Sequence, residues 1–328
     1  MGSHFRLRLL NTAGEEHVET ARKVILCNGV TGNGAAQIPA VLHENLPRSL
    51  YAHTADAIDF NALRGKAVAV IGGAASAFDS AATALEVGAA QVHLFVRRNA
   101  LPAVPITRTR AYPGAYDNYP QLPDALRWRQ AARFRRAGST PPVDAVERVT
   151  KYPNFHLHLG TAWSHASAEG GRIAARAGDE QFQFDFAIAG TGYLIDPAVR
   201  PELSAVSKDI LLWRDRYVPA DDERDDYLGA HPYLGTAHEY LEKTPGTAAY
   251  LANLHVYNPA GLVSFGVPVG DVPSMKRDIP AVVNRISRDL FLADLDRHEQ
   301  RLNADVPPDF DATLYGHRLW QGEKVDIV

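Results

Sequence analysis

Apolar and polar residues along the chain follow the patterns of short strands and helices. Residues 5–10 alternate between apolar and polar types as a half-buried strand does, and a turn sequence separates them from a second extended run that reaches Val18. Residues 23–29 consist of a charged residue, a short apolar run and, at the end, a glycine. This profile is typical of a buried parallel strand that ends in a ligand-facing turn.

The next segment has the pattern of one complete βαβ unit. Residues 66–71 form a second short apolar run, residues 76–87 place small apolar residues at helical spacing, and residues 91–96 form a third apolar run. Such units have right-handed crossovers, and their helices cover a parallel sheet. The pattern therefore predicts an α/β domain.

Further helices and strands are expected in the rest of the chain. The pattern predicts helices over 124–137 and 279–295, and strands over 155–159, 172–176 and 182–188. Two consecutive glycines just before the second of these strands supply a hairpin turn. The alternation of strands and helices supports the α/β fold class.

Composition restricts the class of protein and of partner. The 328 residues suggest two domains at about 150 residues per domain. With 46% apolar and 22% charged residues, the chain is not of a disordered type. Because 34 basic and 38 acidic residues give a net charge of -4, we expect a small-molecule substrate as partner and neither a nucleic acid nor a membrane.

The single cysteine, Cys27, excludes an internal disulfide and a cysteine-based metal site. One thiol fits a reducing compartment, so we expect a cytoplasmic protein. At the end of an apolar strand a free cysteine is more often a small core residue than a reactive thiol, and Cys27 is predicted to lie in the core.

The turn between the strand at 66–71 and the helix at 76–87 is a candidate dinucleotide site. In such folds three small residues allow the tight turn, the approach of the pyrophosphate and the close packing of the helix. These positions are Gly72, Ala74 and Ala77 here, and the Ala74 methyl group is expected to weaken phosphate binding. The alternative is that small residues only let the helix pack closely on the sheet. The candidate cofactor-binding residues of this turn are Gly72, Gly73, Ala74, Ala75, Ser76 and Ala77.

Two arginines, Arg97 and Arg98, end the strand at 91–96. An NAD site has an acidic residue at this place for the ribose hydroxyls, whereas a 2'-phosphate needs a guanidinium group. NADP(H) is therefore the preferred cofactor. The alternative is a solvated strand end.

Five segments carry a resemblance to a known family. They are 24–29 (VILCNG), 51–54 (YAHT), 64–72 (RGKAVAVIG), 97–98 (RR) and 189–193 (AGTGY). Together they resemble the flavin-containing monooxygenases and their bacterial relatives, which are FAD/NAD(P)-binding oxidoreductases. The resemblance implies that NADPH reduces FAD and that the reduced flavin activates oxygen for a reaction with a small substrate.

The resemblance also implies a domain organisation. It places a Rossmann-like NADP-binding domain at 51–195, inserted in a partial FAD-binding-type α/β domain made of a remnant at 1–50 and a C-terminal part at 196–328 with the substrate region. Residues Gly190, Thr191 and Gly192 would form the crossing between the two domains. Residues Asn258 to Asp271 would lie near the isoalloxazine ring of FAD.

One expected element of the family is not found in this sequence. The FAD fingerprint, a glycine-rich turn between a strand and a helix, would precede residues 24–29 by more than the chain allows. Residues 29–34 are glycine-rich, but their spacing is wrong and they open toward Pro39. We therefore expect a truncated FAD-type domain that does not hold FAD tightly by itself, completed in a homo-oligomer or by a complementing FAD-domain chain.

Three functional readings follow. The first is the larger part of an NADPH- and flavin-dependent monooxygenase-like oxidoreductase. The second is a flavin-free descendant of this fold that catalyses a non-redox reaction or binds a small molecule, and the third is an interaction module. No metal is expected, although His156 and His158 share a strand face, and no catalytic residue is assigned.

Overall fold

The structure, a computed structural model, describes residues 4–110, 112–270 and 272–322. Asp271, one of the candidate site residues, lies outside the described residues. The chain divides into two compact units, of which the larger ends at Val282 and the smaller begins at Val283. The elements described below up to α7 belong to the larger unit.

The described residues contain strands and α-helices in the following order. The strands are β1 (Phe5–Leu10), β2 (Glu16–Ala21), β3 (Val24–Leu26), β4 (Gly34–Ala36), β5 (Tyr51–His53), β6 (Ala67–Ile71), β7 (Gln91–Val96), β8 (Phe155–Leu159), β9 (Trp163–Glu169), β10 (Arg172–Ala177), β11 (Glu180–Phe184), β12 (Phe186–Ala189), β13 (Tyr193–Ile195) and β14 (Leu254–Val256). The helices are α1 (Ala40–His43), α2 (Ala75–Glu86), α3 (Asp124–Ala137), α4 (Val143–Thr150), α5 (Trp213–Arg216), α6 (Asp226–Gly229), α7 (Leu262–Phe265), α8 (Val272–Ala293) and α9 (Leu295–Leu302). Short 3-10 turns connect many of them.

A five-stranded sheet in the order β5-β12-β6-β7-β8 forms the centre of the larger unit. All four of its strand pairs are parallel. The chain runs from β6 to β7 on one side, whereas β12 pairs with β6 on the other side. In open α/β sheets a ligand crevice lies outside the carboxyl ends of the strands where the strand order reverses in this way.

Two different layers cover the faces of this sheet. On one face Val68, Val70 and Leu94 pack with α2 and α4, as the buried side chains of Phe78 and Val149 show. On the other face the three-stranded meander β9-β10-β11 packs its Trp163, Ile173 and Phe184 against β6, β7 and β12. Burial on both faces explains why the strands read as short apolar runs in the sequence.

Helix α2 lies close to the sheet because its inward side consists largely of alanine. Ala77, Ala81 and Ala84 are fully buried in the same cluster as the β6 valines. On the outer side Arg148 of α4 binds both carboxylate oxygens of Glu86 at 2.9 Å. The small residues of the candidate dinucleotide turn thus also serve helix packing.

Three small sheets accompany the central one. β1 and β2 are antiparallel, β13 and β4 are antiparallel, and β14 and β3 are parallel. The predicted N-terminal antiparallel unit and the parallel strand after it are therefore confirmed. The expected burial of that strand and the core position of Cys27 are wrong. Among the strands of the described residues β3 pairs with β14 alone, and Ile25 is 43% exposed while Cys27 is exposed.

The run at 182–188 was expected to be one strand, and the structure divides it into β11 and β12 of two different sheets. Asp185 stands at the division. Its carboxylate accepts hydrogen bonds from the Ala67 backbone N–H at 2.7 Å and from Arg172 Nε at 2.8 Å. These bonds hold the chain in a bend between the sheets.

The helix expected at 279–295 has different bounds in the structure. It is α8, which begins at Val272, continues through Pro280 and ends at Ala293.

Helix α3 has the predicted bounds and contacts an acidic loop. Arg129 pairs with Glu223 at 3.3 Å, and Arg135 pairs with Asp225 at 2.7 Å. The Trp128 indole N–H donates to the Glu223 carbonyl at 2.9 Å. The arginine run of α3 and the acidic run at 221–226 thus bind each other.

Leu94 provides a test of the core assignment. It is 0% exposed in the centre of the sheet, whereas Leu10 at the end of β1 is 72% exposed. We expect Leu94→Ala to lower the free energy of unfolding by about 2–5 kcal/mol through lost burial and a residual cavity. The control Leu10→Ala should change it by less than about 0.5 kcal/mol. Equal losses in urea denaturation would contradict the sheet packing.

Candidate functional site

A cavity of about 280 Å³ lies at the carboxyl ends of the central strands. Its wall brings together three groups of sequence-predicted residues, which are Gly72–Ala74 after β6, the pair Arg97 and Arg98 after β7, and Gly190–Gly192 after β12. This place is the point where the strand order of the sheet reverses. We call it the nucleotide crevice.

The turn after β6 requires glycine. Gly72 has φ +145, and a Cβ at this position would lie 2.1 Å from the Gly190 carbonyl oxygen. A Cβ on Gly190 would lie 2.7 Å from the Ala77 Cβ. The ends of β6 and β12 and the first turn of α2 therefore pack with no space for a side chain between them.

Helix α2 begins at this turn, with Ala74 as its N-cap. No side chain caps the helix, and its first turn contains no acidic residue. The first backbone N–H groups of a helix have no partner within the helix, and they attract anions together with the helix dipole. The end of α2 thus has the properties of a phosphate site, with the Ala74 methyl group in the crevice wall.

The other predicted residues of the turn lie in different surroundings. Ser76 is exposed in the first turn of α2, and Ala77 is fully buried against Gly190. The crevice wall includes neither of them, nor Ala75. Ala77 therefore positions α2 against the sheet, and a direct role of Ala75 and Ser76 stays a prediction.

The two arginines after β7 have different partners. Arg98 Nη1 donates to the Arg136 carbonyl at 2.7 Å and Nη2 donates to the Arg135 carbonyl at 3.4 Å. Arg98 thus binds the C-terminal end of α3, where carbonyl groups have no partner within the helix. Arg97 is exposed and lines the crevice, and we find no hydrogen bond or ion pair of its side chain among the described residues. Arg97 is the guanidinium available to a ligand.

Gly190–Gly192 leads the chain out of the central sheet into β13. The Thr191 hydroxyl donates to the Gln37 carbonyl, and the Gln37 N–H donates to the Gly192 carbonyl at 2.9 Å. His53 Nε2 lies 2.9 Å from the same carbonyl, and its Nδ1 accepts from the Ala55 N–H. Burial lowers the pKa of His53, in keeping with a neutral ring that donates through Nε2. Hydrogen bonds to Gln37 and to His53 therefore fix this segment where the chain leaves the central sheet.

A second cavity, of about 460 Å³, lies at the carboxyl ends of the parallel pair β3 and β14. Cys27, Gly29, Asn258 and Gly270 lie in its wall. We call it the β3–β14 crevice. The structure therefore places Asn258 in a cavity other than the nucleotide crevice.

Asn258 belongs to a network of three asparagine amides, of which Asn258 and Asn33 are buried and Asn28 is exposed. Its Nδ2 donates to Asn28 Oδ1 at 3.0 Å, and its Oδ1 accepts from Asn33 Nδ2 at 3.3 Å. Asn33 in turn accepts from the Tyr240 hydroxyl at 2.6 Å. Burial raises the pKa of Tyr240, so the phenol keeps its proton as the donor. The network fixes the turn after β3 against the turn after β14.

The histidines noted in the sequence meet a third one in the sheet. His93 of β7 lies between His156 and His158 of β8, with its Nδ1 2.9 Å from His158 Nε2. Burial and the two neighbouring rings lower the pKa of His93 to about 4. Within the described ranges no group of three potential ligands is placed to hold a metal ion.

Sequence reasoning missed a third cavity, of about 180 Å³, between residues 112–117 and the beginning of α8. Tyr112, Tyr116 and Arg277 lie in its wall. Tyr116 and Arg277 are 161 positions apart, so no local pattern indicated that they meet.

Among the described residues, no helix combines the length and the apolar character that a membrane span needs.

The chain is similar in sequence and in fold to known enzymes. No family model matches the chain. The chain is 37% identical over 274 residues to a FAD-dependent urate hydroxylase of Xanthomonas campestris pv. campestris, and this match covers 84% of the chain. The chain spans 58% of the length of that relative.

Solved structures of similar fold are flavin enzymes. The ornithine hydroxylase of Pseudomonas aeruginosa has a TM-score of 0.64 at 18% identity, with 88% of this chain and 67% of that chain covered. The L-lysine 6-monooxygenase of Pseudomonas syringae has a TM-score of 0.63 at 16% identity, with 86% and 67% covered. These likenesses establish the fold. By sequence and fold together, the chain resembles the flavin monooxygenases among the FAD- and NAD(P)-binding oxidoreductases.

Proposed function

We propose that the chain is the larger part of an NADPH- and FAD-dependent monooxygenase. The nucleotide crevice carries this proposal, because the glycine turn, the uncapped end of α2 and the unpaired Arg97 meet there. The glycine turn and the end of α2 suit the pyrophosphate of a dinucleotide, and Arg97 suits a 2'-phosphate. The relative named above, a FAD-dependent hydroxylase, supports the same reaction class.

The proposed domain organisation follows the strands. Residues 51–195 would form the NADP-binding domain, since the five strands of the central sheet lie between Tyr51 and Ala189. The antiparallel pair of β4 and β13 would contain the two crossings to the FAD-type domain. Residues 1–50 and 196–328 would form that domain, with β3 and β14 as its parallel strands.

NADPH would supply a hydride when it is bound in the nucleotide crevice. The N–H groups at the beginning of α2 would bind its pyrophosphate, and Gly72 allows the backbone to turn there. The Arg97 guanidinium would bind the 2'-phosphate through charge-assisted hydrogen bonds. Ala74 would reduce the affinity, because its methyl group occupies part of the wall that faces the phosphate.

FAD would supply the oxygen-activating flavin, and the β3–β14 crevice fits its ring end better than its pyrophosphate end. Gly29, Asn258 and Gly270 provide backbone and amide groups at the strand ends. However, β3 continues through a turn into β4, so no helix N-terminus follows it. The residues that bind the pyrophosphate would then come from polypeptide outside this sequence or from a partner chain, in a homo-oligomer or with a complementing FAD-domain chain.

The exposed side of β3 supports such a completion. A parallel strand ordinarily has neighbours on both edges and cover on both faces. β3 pairs with β14 alone, and Ile25 and Val30 are 43% and 47% exposed. We propose that further strands of an FAD-type sheet cover this region.

The substrate would be a small molecule such as the urate named for the relative. The compartment would be the cytoplasm.

A flavin-free protein that binds a small molecule in the same fold is the second candidate. Two observations favour it, namely the methyl group of Ala74 in the crevice wall and the turn that follows β3 in place of a helix. It would bind neither NADPH nor flavin tightly.

Arg97 gives the direct test of cofactor choice. We expect Arg97→Ala to raise the Kd for NADPH at least about tenfold, because charge-assisted hydrogen bonds contribute about 1.5–3 kcal/mol. The Kd for NADH, which has no 2'-phosphate, should stay unchanged. Nucleotide fluorescence titration measures both constants. Arg214→Ala, at an exposed arginine of α5, is the control and should bind NADPH as the wild type does.

An Arg97→Ala variant with wild-type affinity for NADPH would contradict the assigned role of this residue. A wild-type chain that binds NADPH no better than NADH would contradict the preference for NADP(H). A wild-type chain that binds neither nucleotide would favour the flavin-free candidate.

Gly72 tests the turn itself. We expect Gly72→Ala to weaken NADPH binding at least about tenfold and to lower the free energy of unfolding by about 1–3 kcal/mol, because the new Cβ meets the Gly190 carbonyl at 2.1 Å. Gly178→Ala is the control. Gly178 also has a positive φ, +61, but it lies in open space far from the crevice wall. Equal effects of both substitutions on the NADPH titration would show that the turn has no special role.

A further inference from the structure

The third cavity is not used by either cofactor assignment. It measures about 180 Å³ and lies between residues 112–117 and the beginning of α8. Pockets for drug-sized ligands span about 300–1,000 Å³, so an occupant of this cavity is a smaller molecule. Its wall contains two tyrosines, Tyr112 and Tyr116, and two basic residues, Lys276 and Arg277.

Arg277 is fixed in this wall and not free to swing. Its Nε donates to Asp278 Oδ1 at 2.6 Å, and its Nη1 donates to the Tyr116 carbonyl at 2.8 Å. Its Nη2 forms an ion pair with the same Asp278 oxygen at 2.5 Å. The Arg277 side chain is 14% exposed, so it contributes a fixed and mostly buried guanidinium group to the wall.

Asp278 is buried and charged, and it holds the arginine in place. Burial would raise the pKa of this carboxyl, but the hydrogen bond from His238 and the charge of Arg277 outweigh burial and keep the pKa below its ordinary value. His238 Nε2 lies 3.4 Å from Asp278 Oδ1, and both side chains are 1% exposed. A buried ion pair gives little net stability, because desolvation costs much of what the attraction supplies. The role of the buried pair of Arg277 and Asp278 is therefore to orient the Arg277 side chain.

His238 adds strain to the same cluster. Its φ is +63, and it is the non-glycine residue with a positive φ in the described part of the chain. Its ring stacks on Phe265 with centroids 3.9 Å apart, and its Nδ1 is buried with no partner found in the described ranges. Backbone strain of this kind persists where the surrounding structure imposes it, and it concentrates at functional sites. His238 and Asp278 are thus positioning residues for Arg277.

The chemistry of the wall defines the ligand class. The positive charge of the Arg277 guanidinium in the wall favours an anionic ligand, because hydrogen bonds and contacts between charged groups are stronger than neutral ones. Lys276 adds a positive charge, and Asp117 is the carboxylate that opposes it in the wall. Tyrosine rings favour a flat partner.

The cavity lies next to the β3–β14 crevice, in which the flavin ring is proposed to bind. Val267 lines the cavity, whereas Pro268, Val269 and Gly270 line the crevice. The Gly270 N–H also donates to Ser274 Oγ at 3.2 Å, and Ser274 lines the cavity. One short segment therefore separates the two spaces.

We infer that this cavity is the substrate site, and that it binds a small planar anion beside Arg277, Lys276 and the two tyrosines. The inference rests on the proposed function for the reaction that the anion undergoes. Its binding chemistry depends on Arg277 and Lys276 and on no residue of the nucleotide crevice.

Titration calorimetry with urate, with and without added FAD, tests the site. We expect the wild-type chain to bind urate and Lys276→Glu to raise the Kd about tenfold, since it reverses a charge in the wall. Arg288→Glu is the matched control, because it makes the same charge change on the same helix at a residue outside the cavity wall whose side chain is 62% exposed. Its Kd should equal that of the wild type.

Arg277 is tested by two substitutions and a second probe. Arg277→Gln should weaken binding at least about tenfold because it removes a positive charge from the wall, and Arg277→Lys, which keeps the charge, should weaken binding less. L-Ornithine, a flexible zwitterion, should bind at least about tenfold more weakly than urate. If Arg277→Gln fails to fold, the exposed position of Lys276 still decides the question.

The inference is overturned if the wild-type chain binds no urate in either condition, if Lys276→Glu and Arg288→Glu have equal Kd values, or if ornithine binds as tightly as urate. These outcomes are separate from failure of the proposed function. NADPH titration depends on Arg97 and Gly72, so urate binding without NADPH binding would retain the site and remove the redox reaction.

Discussion

At Gly72 and Gly190 the backbones at the ends of β6 and β12 lie so close together that not even a methyl group fits between them. Each strand end is also tied to the next one, by the Gly72 N–H on the Phe95 carbonyl at 3.0 Å and the Gly190 N–H on the Ile71 carbonyl at 2.8 Å. The strands β6, β7 and β12 therefore end at one level. The nucleotide crevice forms above that level because the turns leave it in different directions.

The same contact joins the central sheet to the rest of the larger unit. After Gly190 the chain crosses into β13, where the Thr191 hydroxyl donates to the Gln37 carbonyl and the Gln37 N–H donates to the Gly192 carbonyl. His53 ties the end of β5 to the Gly192 carbonyl. A displacement of Gly190 would therefore also displace α2 and the two segments that connect the central sheet to β4 and β13. This coupling makes the position of the crevice a property of the fold and not of one loop.

The sequence predicted well what depends on local periodicity. Helix α3 and strands β7 and β8 have the expected bounds, since apolar spacing and flanking turn residues determine them. The predicted residues of the nucleotide crevice also converge, because the topology of a parallel sheet brings strand ends to one edge. Asp185 was overlooked because its effect depends on distant partners, the Ala67 N–H and Arg172.

What could not be predicted depends on contacts between segments far apart in the chain. Cys27 has an apolar strand before it, but burial depends on how many strands stand beside β3, which the pattern does not encode. His238, Asp278 and Arg277 belong to no motif, and they meet only when α8 packs against the residues after Leu234. The site at Arg277 was therefore invisible to sequence reasoning.

Arg97 and Arg98 illustrate how neighbouring residues of one type acquire separate roles. Both residues lie in the bend after β7 and line the crevice, but only the Arg98 side chain donates hydrogen bonds to the end of α3. The carbonyl groups at that helix end, together with the negative end of its dipole, offset part of the Arg98 charge. Arg98 then fixes the crevice wall next to Gly138, whose would-be Cβ lies 2.9 Å from the guanidinium. In the proposed function, discrimination for a 2'-phosphate would therefore depend on Arg97, and such a contact would weaken as salt screens it.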